Sequence, residues 1–305
     1  MKRSFFLLIT FLLLNAFIFA QDSTLTFDGY AQLTAKTNFQ NYDIFLHRLK
    51  LWTKAKPLPG LTFKLQGTFS SKYAEKFLLQ DIWLKYKHRG LILQIGQFVP
   101  EFSLQRFQHD YTINLYDRGQ CVNLLIPDGT LGVRDLGFQI GIKKGKLSTY
   151  FGIFSGYGIK TFNFSNKHFL ITHKTQVKLS HITAGYSLMY RRANGLTIPK
   201  VLDTTLFTAD MRYNAFIRFN LHNLTLQSEY IGAKINQNWL NGWYINAEYT
   251  KGKNTLALTY DHYQNQTRIG AFYSYSLHSY RQKIMLGGYW QNNSITALLQ
   301  IQCFL

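Results

Sequence analysis

A short apolar leader joined to a chain of unbroken alternation constrains this sequence more than any motif does. Lys2 and Arg3 make a positive start, Phe5 to Phe19 is apolar apart from Thr10 and Asn15, and Ile18 and Ala20 suit a cut before Gln21. This is the pattern of a cleaved export signal over residues 1–20. The run is short for a membrane span, and Gln21-Asp22-Ser23 follows it in place of a positive stop-transfer flank. Gln21, not a cysteine, stands immediately after the cut, so a lipidated N-terminus is not expected. Beyond Gln21 no apolar run reaches the ~18 residues of a spanning helix. What remains is strand-like sequence to the last residue. Hydrocarbon tolerates strands only as a closed barrel, because an open edge leaves backbone groups unpaired. The sequence therefore predicts an all-β transmembrane antiparallel barrel over residues 21–305, located in a bacterial outer membrane.

Composition agrees with one greasy face and one wet face. Hydrophobic residues make up 46% of the 305, too few for a helical membrane protein, and 25 Phe with 20 Tyr suit interfacial girdles. Net charge is +19, or +17 once Lys2 and Arg3 leave with the leader. A basic chain suggests nucleic acid first. Export argues against that partner, and the charges are spread through strands. A basic, water-filled lumen would instead concentrate small anions. Cys121 and Cys303 allow at most one bridge.

Alternation carries the strand assignments. From Tyr42 to Lys56, Arg48, Lys50, Lys54 and Lys56 share one parity; His47, Leu49, Leu51, Thr53 and Ala55 share the other. After Pro57-Leu58-Pro59-Gly60, the row Leu61, Phe63, Leu65, Gly67 and Phe69 alternates with Thr62, Lys64, Gln66, Thr68 and Ser70. Leu78, Ile82, Leu84 and Tyr86 oppose Asp81, Trp83, Lys85 and Lys87. Later, Ile171, Val177 and Leu179 oppose Lys174, Gln176 and Lys178, and Met211, Tyr213 and Ile217 oppose Arg212, Asn214 and Arg218. Ala297, Leu299, Ile301, Cys303 and Leu305 give the last strand an apolar face. The count is about sixteen strands. Short connectors, such as Lys87–Gly90 and Lys251–Asn254, alternate with longer ones at Phe102–Gly132, Tyr157–Lys167 and Arg192–Asp203. Short turns belong on the periplasmic side and longer loops outside, which puts both termini in the periplasm.

The third external connector, Val99 to Val133, is the longest. A loop beyond ~15 residues is usually functional or disordered. Phe102, Leu104, Phe107, Tyr111, Leu115, Tyr116, Leu124 and Leu125 are wrong for disorder. They predict a loop folded into the lumen against the wall. Arg106, His109, Asp110, Asp117, Arg118, Asp128, Arg134 and Asp135 supply its charge. These groups either pair internally and fix the loop, or Arg106, Arg118 and Arg134 line a constriction and select anions.

Several segments resemble the phosphate- and polyphosphate-selective porins, the O/P porins. They are Arg48-Leu49-Lys50-Leu51, Pro57-Leu58-Pro59-Gly60-Leu61 with Phe63-Lys64-Leu65, and Gln80-Asp81-Ile82-Trp83-Leu84-Lys85-Tyr86. Gly96-Gln97-Phe98-Val99-Pro100 with Phe102-Ser103-Leu104 resembles that family's approach to the long loop, and Arg134-Asp135-Leu136-Gly137 its exit. Gly152-Ile153-Phe154-Ser155-Gly156-Tyr157-Gly158 resembles the next strand end. Together they cover roughly residues 42–160; the later half matches in strand rhythm alone. The resemblance implies a sixteen-stranded barrel, often a homotrimer, passing phosphate or polyphosphate.

Among functions, a passive anion-preferring pore fits best, since ~16 strands leave an aqueous channel. The proposed pore-lining residues are Arg48, Lys50, Lys54, Lys64, Lys174, Lys178, Arg212 and Arg218, with Arg106, Arg118 and Arg134 on the loop. Their partners would be small anionic solutes inside and outer-membrane lipid outside. A substrate-specific transporter of unknown solute is the alternative, although large energised versions need a plug domain. An outer-membrane enzyme is less favoured. The histidines are scattered, with His173 and His181 expected at strand ends by the membrane boundary, and no Gly-x-Ser-x-Gly turn occurs. No metal-ligand spacing and no phosphate-cradling glycine loop points to a cofactor. Lys and Arg number 34 against 15 Asp and Glu. That surplus predicts unpaired cations in the lumen.

Overall fold

The computed structural model describes residues 24–71, 77–126, 133–158, 168–192 and 209–305. The leader, Asp128 and most of the connectors Tyr157–Lys167 and Arg192–Asp203 lie outside these residues.

Sixteen antiparallel strands close into one barrel. They are β1 (Thr24–Thr37), β2 (Tyr42–Leu58), β3 (Leu61–Phe69), β4 (Leu78–His88) and β5 (Leu91–Phe98), then, after the long loop, β6 (Asp135–Lys144), β7 (Leu147–Phe154) and β8 (Phe169–Lys178). The second half comprises β9 (Ile182–Arg192), β10 (Ala209–Leu221), β11 (Leu224–Ile235), β12 (Asn238–Lys251), β13 (Asn254–Tyr263), β14 (Gln266–His278), β15 (Gln282–Gln291) and β16 (Ser294–Phe304). Each strand pairs with its sequence neighbours, and β16 returns to β1 with Tyr30 opposite Phe304 and Leu33 opposite Ile301. Closure leaves no sheet edge unpaired.

Alternation sorts the side chains as the sequence predicts. Phe138 and Ile142 of β6 are exposed on the outside while Gly137, Gln139 and Gly141 are buried within. The apolar row of β16 is outward, and Cys303 is exposed on it; Cys121 is buried in the interior, so both thiols are free.

Of the register shifts among the described strands, two change the parity of residues that line the interior. The pairing of β1 with β2 shifts at His47. His47 therefore turns inward beside Arg48, not outward with Leu49 as the alternation implies, and only 7% of it is exposed. The pairing of β3 with β4 shifts at Gln80. Gln80 and Asp81 are both buried, Leu78 faces the interior, and Leu79 takes the outward place. Leu78 thus leaves the outward row assigned to it. His173 also differs from expectation: it lies in the middle of β8, its ring nitrogen near the Thr149 and Thr175 hydroxyls and its ring against Tyr186. His181 does sit in a turn, with Nδ1 3.1 Å from the Asn220 carbonyl oxygen.

The connectors at the two ends are less distinct than predicted. One end has only tight turns. The other has long connectors in the first two thirds of the chain, but the last three are two-residue turns, Asn236-Gln237, Gln264-Asn265 and Asn292-Asn293. Asn292 and Asn293 both adopt positive φ, the conformation that matches strand twist across a two-residue hairpin. At the turn end, Gly60 has φ of 79°, and its carbonyl accepts a hydrogen bond from the Lys87 amide at 2.8 Å. A Cβ at Gly60 would lie 2.4 Å from the Lys87 carbonyl oxygen. Gly145, also at positive φ, has nothing within 4 Å of such a Cβ. Gly145→Ala should therefore cost only the left-handed penalty of about 1–2 kcal/mol. Gly60→Ala should cost more, read as a larger drop in the urea midpoint of the refolded barrel.

Candidate functional site

The interior is organised by the loop between β5 and β6. It contains 3₁₀ turns at Gln105–Phe107 and Asp110–Thr112 and a short helix, α1 (Gln120–Leu124). The loop lies inside the barrel, because its groups bond inward side chains of strands on opposite walls. On one side Asp110 receives Lys50 Nζ at 2.6 Å, Arg48 Nη1 at 3.2 Å and the loop's own Arg118 at 2.5 Å. On the other, Glu229 of β11 accepts the backbone amides of Leu104 and Gln105. Lys283 of β15 donates to the Ile113 carbonyl at 2.7 Å, and Arg268 of β14 donates to the Arg118 carbonyl at 2.7 Å.

Apolar packing supplies the rest of the anchorage. Phe102, Val122, Leu125 and Ile126 bury against Leu170, Met189, Ile231, Ile235 and Tyr244. Ile113 and Leu115 bury against Phe272, Met285, Tyr289 and Leu298. This half of the interior is a dry core, not the wet face the alternation suggests. The loop's apolar side chains need a partner, and the wall of β8–β16 provides it. Tyr111 adds a clamp at the seam, stacked on Trp52 with centroids 6.3 Å apart and edge-on to Tyr30 and Phe304.

The opposite half remains open as a cavity of about 440 Å³ between the loop and β2–β4. Its lining holds eight cations (Arg48, Lys50, Lys54, Lys64, Arg106, Arg118, Arg134 and Arg268) against three carboxylates (Asp81, Asp110 and Asp117), five more positive charges than negative. Seven of the eleven basic residues singled out by sequence meet here.

The other four do not. Arg212 is fully buried beneath the loop, gripping Asp210 and donating to the Leu125 carbonyl at 2.6 Å. It is an anchor and not a lining residue. Lys174 is buried as well, bonded to Glu101 and to the Ser103 carbonyl, each at 3.0 Å, and it borders a second cavity of about 240 Å³. Lys178 is exposed at the turn end, and Arg218 is half-buried near that end with Nε on Asn220 Oδ1 at 3.1 Å. They belong to a wider pattern. The hairpin turns at this end carry Lys56, Lys87, Arg89, Lys143, Lys146, Lys251, Lys253 and Arg281, and no Asp or Glu.

Pairing is more extensive than the charge surplus predicts. Asp81 takes both Lys64 at 2.6 Å and Arg134 at 2.8 Å. Arg118 and Arg134 therefore fix the loop and line the cavity at once. Lys54 is exposed, with no carboxylate within ion-pair distance among the described residues. Burial raises the Asp110 carboxyl, but Arg48, Lys50 and Arg118 outweigh it and hold it well below the ordinary value. Burial lowers the His109 pKa, and Lys64 lowers it further. Sequence reasoning missed Trp52, His47 and Arg268. Trp52 was legible, since it shares the parity of Lys50 and Lys54. His47 was hidden by the bulge, and Arg268 by a partner 150 residues away.

No protein-family model matches the chain, and no curated protein matches it. Solved structures do. The chain is similar to OmpF of Salmonella typhi in complex with daunomycin (TM-score 0.71, 9% identity, 94% of this chain and 99% of that one). It is also similar to an anion-selective porin from Comamonas acidovorans (0.69, 12%, 93% and 100%). A third is OmpT, an outer membrane protein of Vibrio cholerae in trimer form (0.70, 9%, 93% and 99%). The fold is thus the sixteen-stranded porin barrel.

Asp110→Asn would leave Arg48, Lys50 and Arg118 without their shared anion in a mostly buried setting, a loss of about 3–5 kcal/mol. Trypsin should then cut at Arg106 and Arg118, which the docked loop protects. The pH dependence follows from the lowered Asp110 value. Its stabilisation is present above the ordinary carboxylate pKa and is lost only as pH falls through the lower folded value. The protection of the 104–118 amides, relative to their intrinsic exchange rates, should hold from pH 8 to about 4 and fall below that.

Proposed function

We propose that this chain is an outer-membrane porin, a passive diffusion channel whose basic lumen favours small anions. The observation that carries this reading is the 440 Å³ cavity with five more cations than carboxylates, enclosed by a barrel whose outward face is apolar. Low-dielectric walls around fixed positive charge raise the local anion concentration, most strongly at low salt. Basic hairpin turns at one rim extend the same field beyond the cavity. Phosphate or polyphosphate as solute rests on the resemblance of residues 42–160 to the O/P porins.

Three further assignments belong to this reading. Residues 1–20 are a cleaved export signal and 21–305 the mature barrel. The short-turn end faces the periplasm. Assembly is as a homotrimer, supported by the trimer form of the structurally similar Vibrio cholerae protein. No step of bond-breaking chemistry is assigned to any residue.

In planar bilayers under a salt gradient at low ionic strength, the reversal potential should indicate anion preference. Lys54→Glu combined with Lys178→Glu and Arg218→Glu should move it toward cations, because none of the three anchors the loop. A wild-type pore that already prefers cations would overturn the reading. Deleting residues 102–125 should raise single-channel conductance, as the loop fills one half of the interior; unchanged conductance would mean the loop is not the constriction.

A further inference from the structure

The loop side of the cavity that Lys54 lines is not built for a hydrated inorganic ion alone. Phe107 projects from the 3₁₀ turn Gln105–Phe107 into water, 37% exposed, and it borders both cavities. A large apolar ring left exposed in a confined aqueous passage is an informative placement, because the loop could bury it as it buries Phe102. Phe107 is also held firmly. Glu229 fixes the backbone amides of Leu104 and Gln105, and Lys174 Nζ sits 4.2 Å from the ring centroid on one face. Two residues on, the His109 ring lies parallel to Tyr111 with centroids 4.9 Å apart and planes 9° apart. Tyr111 is itself stacked on Trp52. Phe107, His109 and Tyr111 thus place flat rings on the loop side of a cavity whose lining also holds Lys54.

We propose, building on the anion-channel reading, that the preferred solutes are carboxylates carrying a flat ring, with the carboxylate against Lys54 and the ring against Phe107 and His109. Charge alone would treat acetate and benzoate alike. Ring contacts discriminate between them, and a carboxylate gains from both surfaces at once. Inorganic phosphate gains from the cations only. One well-formed aromatic contact contributes up to ~1.5 kcal/mol beyond burial, which corresponds to about tenfold in affinity.

The test uses the full barrel in planar bilayers carrying chloride current, titrated separately with benzoate, acetate and inorganic phosphate. Benzoate should block at a concentration about tenfold below acetate and below phosphate. Phe107→Ala should erase the difference between benzoate and acetate, Phe107→Tyr should keep it, and Lys54→Gln should weaken block by both carboxylates. Equal block by benzoate and acetate, stronger block by phosphate, or a benzoate preference that survives Phe107→Ala would each overturn the proposal while leaving the anion channel standing. A wild-type barrel that prefers cations or carries no current would remove the channel reading and this proposal with it.

Discussion

Backbone hydrogen bonding is the constraint from which the rest follows. Every strand must have a partner on both sides, and β16 supplies the last one by pairing with β1 from Tyr30–Phe304 to Thr37–Ala297. Closing sixteen strands, however, encloses more space than wall side chains can fill. The chain fills it with its own third long connector, which carries enough apolar residues to form a core against β8–β16 and enough charge to reach β2. The interior is consequently divided. One half is packed protein, and the other is an aqueous passage bounded by the loop and β2–β4.

The same division explains the electrostatics. Carboxylates are scarce, and those in the interior are used where the loop must be held. Asp110 gathers Arg48, Lys50 and Arg118, and Asp81 gathers Lys64 and Arg134. A shared acid between several cations anchors the loop without neutralising the passage, because each cluster stays net positive. The anchoring and lining roles, which look like competing explanations for the loop arginines, are thus one arrangement. Arg212 marks the limit of this logic: its guanidinium is spent wholly on Asp210 and the Leu125 carbonyl and has no face toward water.

Alternation with period two determined by itself that the chain forms strands, which face of β3, β6, β8, β10 and β16 is apolar, and that about sixteen strands close on one another. The physical reason is locality: a residue's face follows from its neighbours' spacing. The length and aromatic content of 99–133 likewise determined that this segment packs against something. Bulges escaped the pattern. One extra residue at His47 or Gln80 reverses parity, and only the partner strand reveals it. Tertiary structure alone decided which cations line water and which lie under the loop. Lys54 and Arg212 have the same parity and the same kind of strand. They differ because the loop covers β10 and leaves β2 open toward its turn end, a choice made by contacts between Leu125, Ile126 and a wall more than forty residues away in the chain.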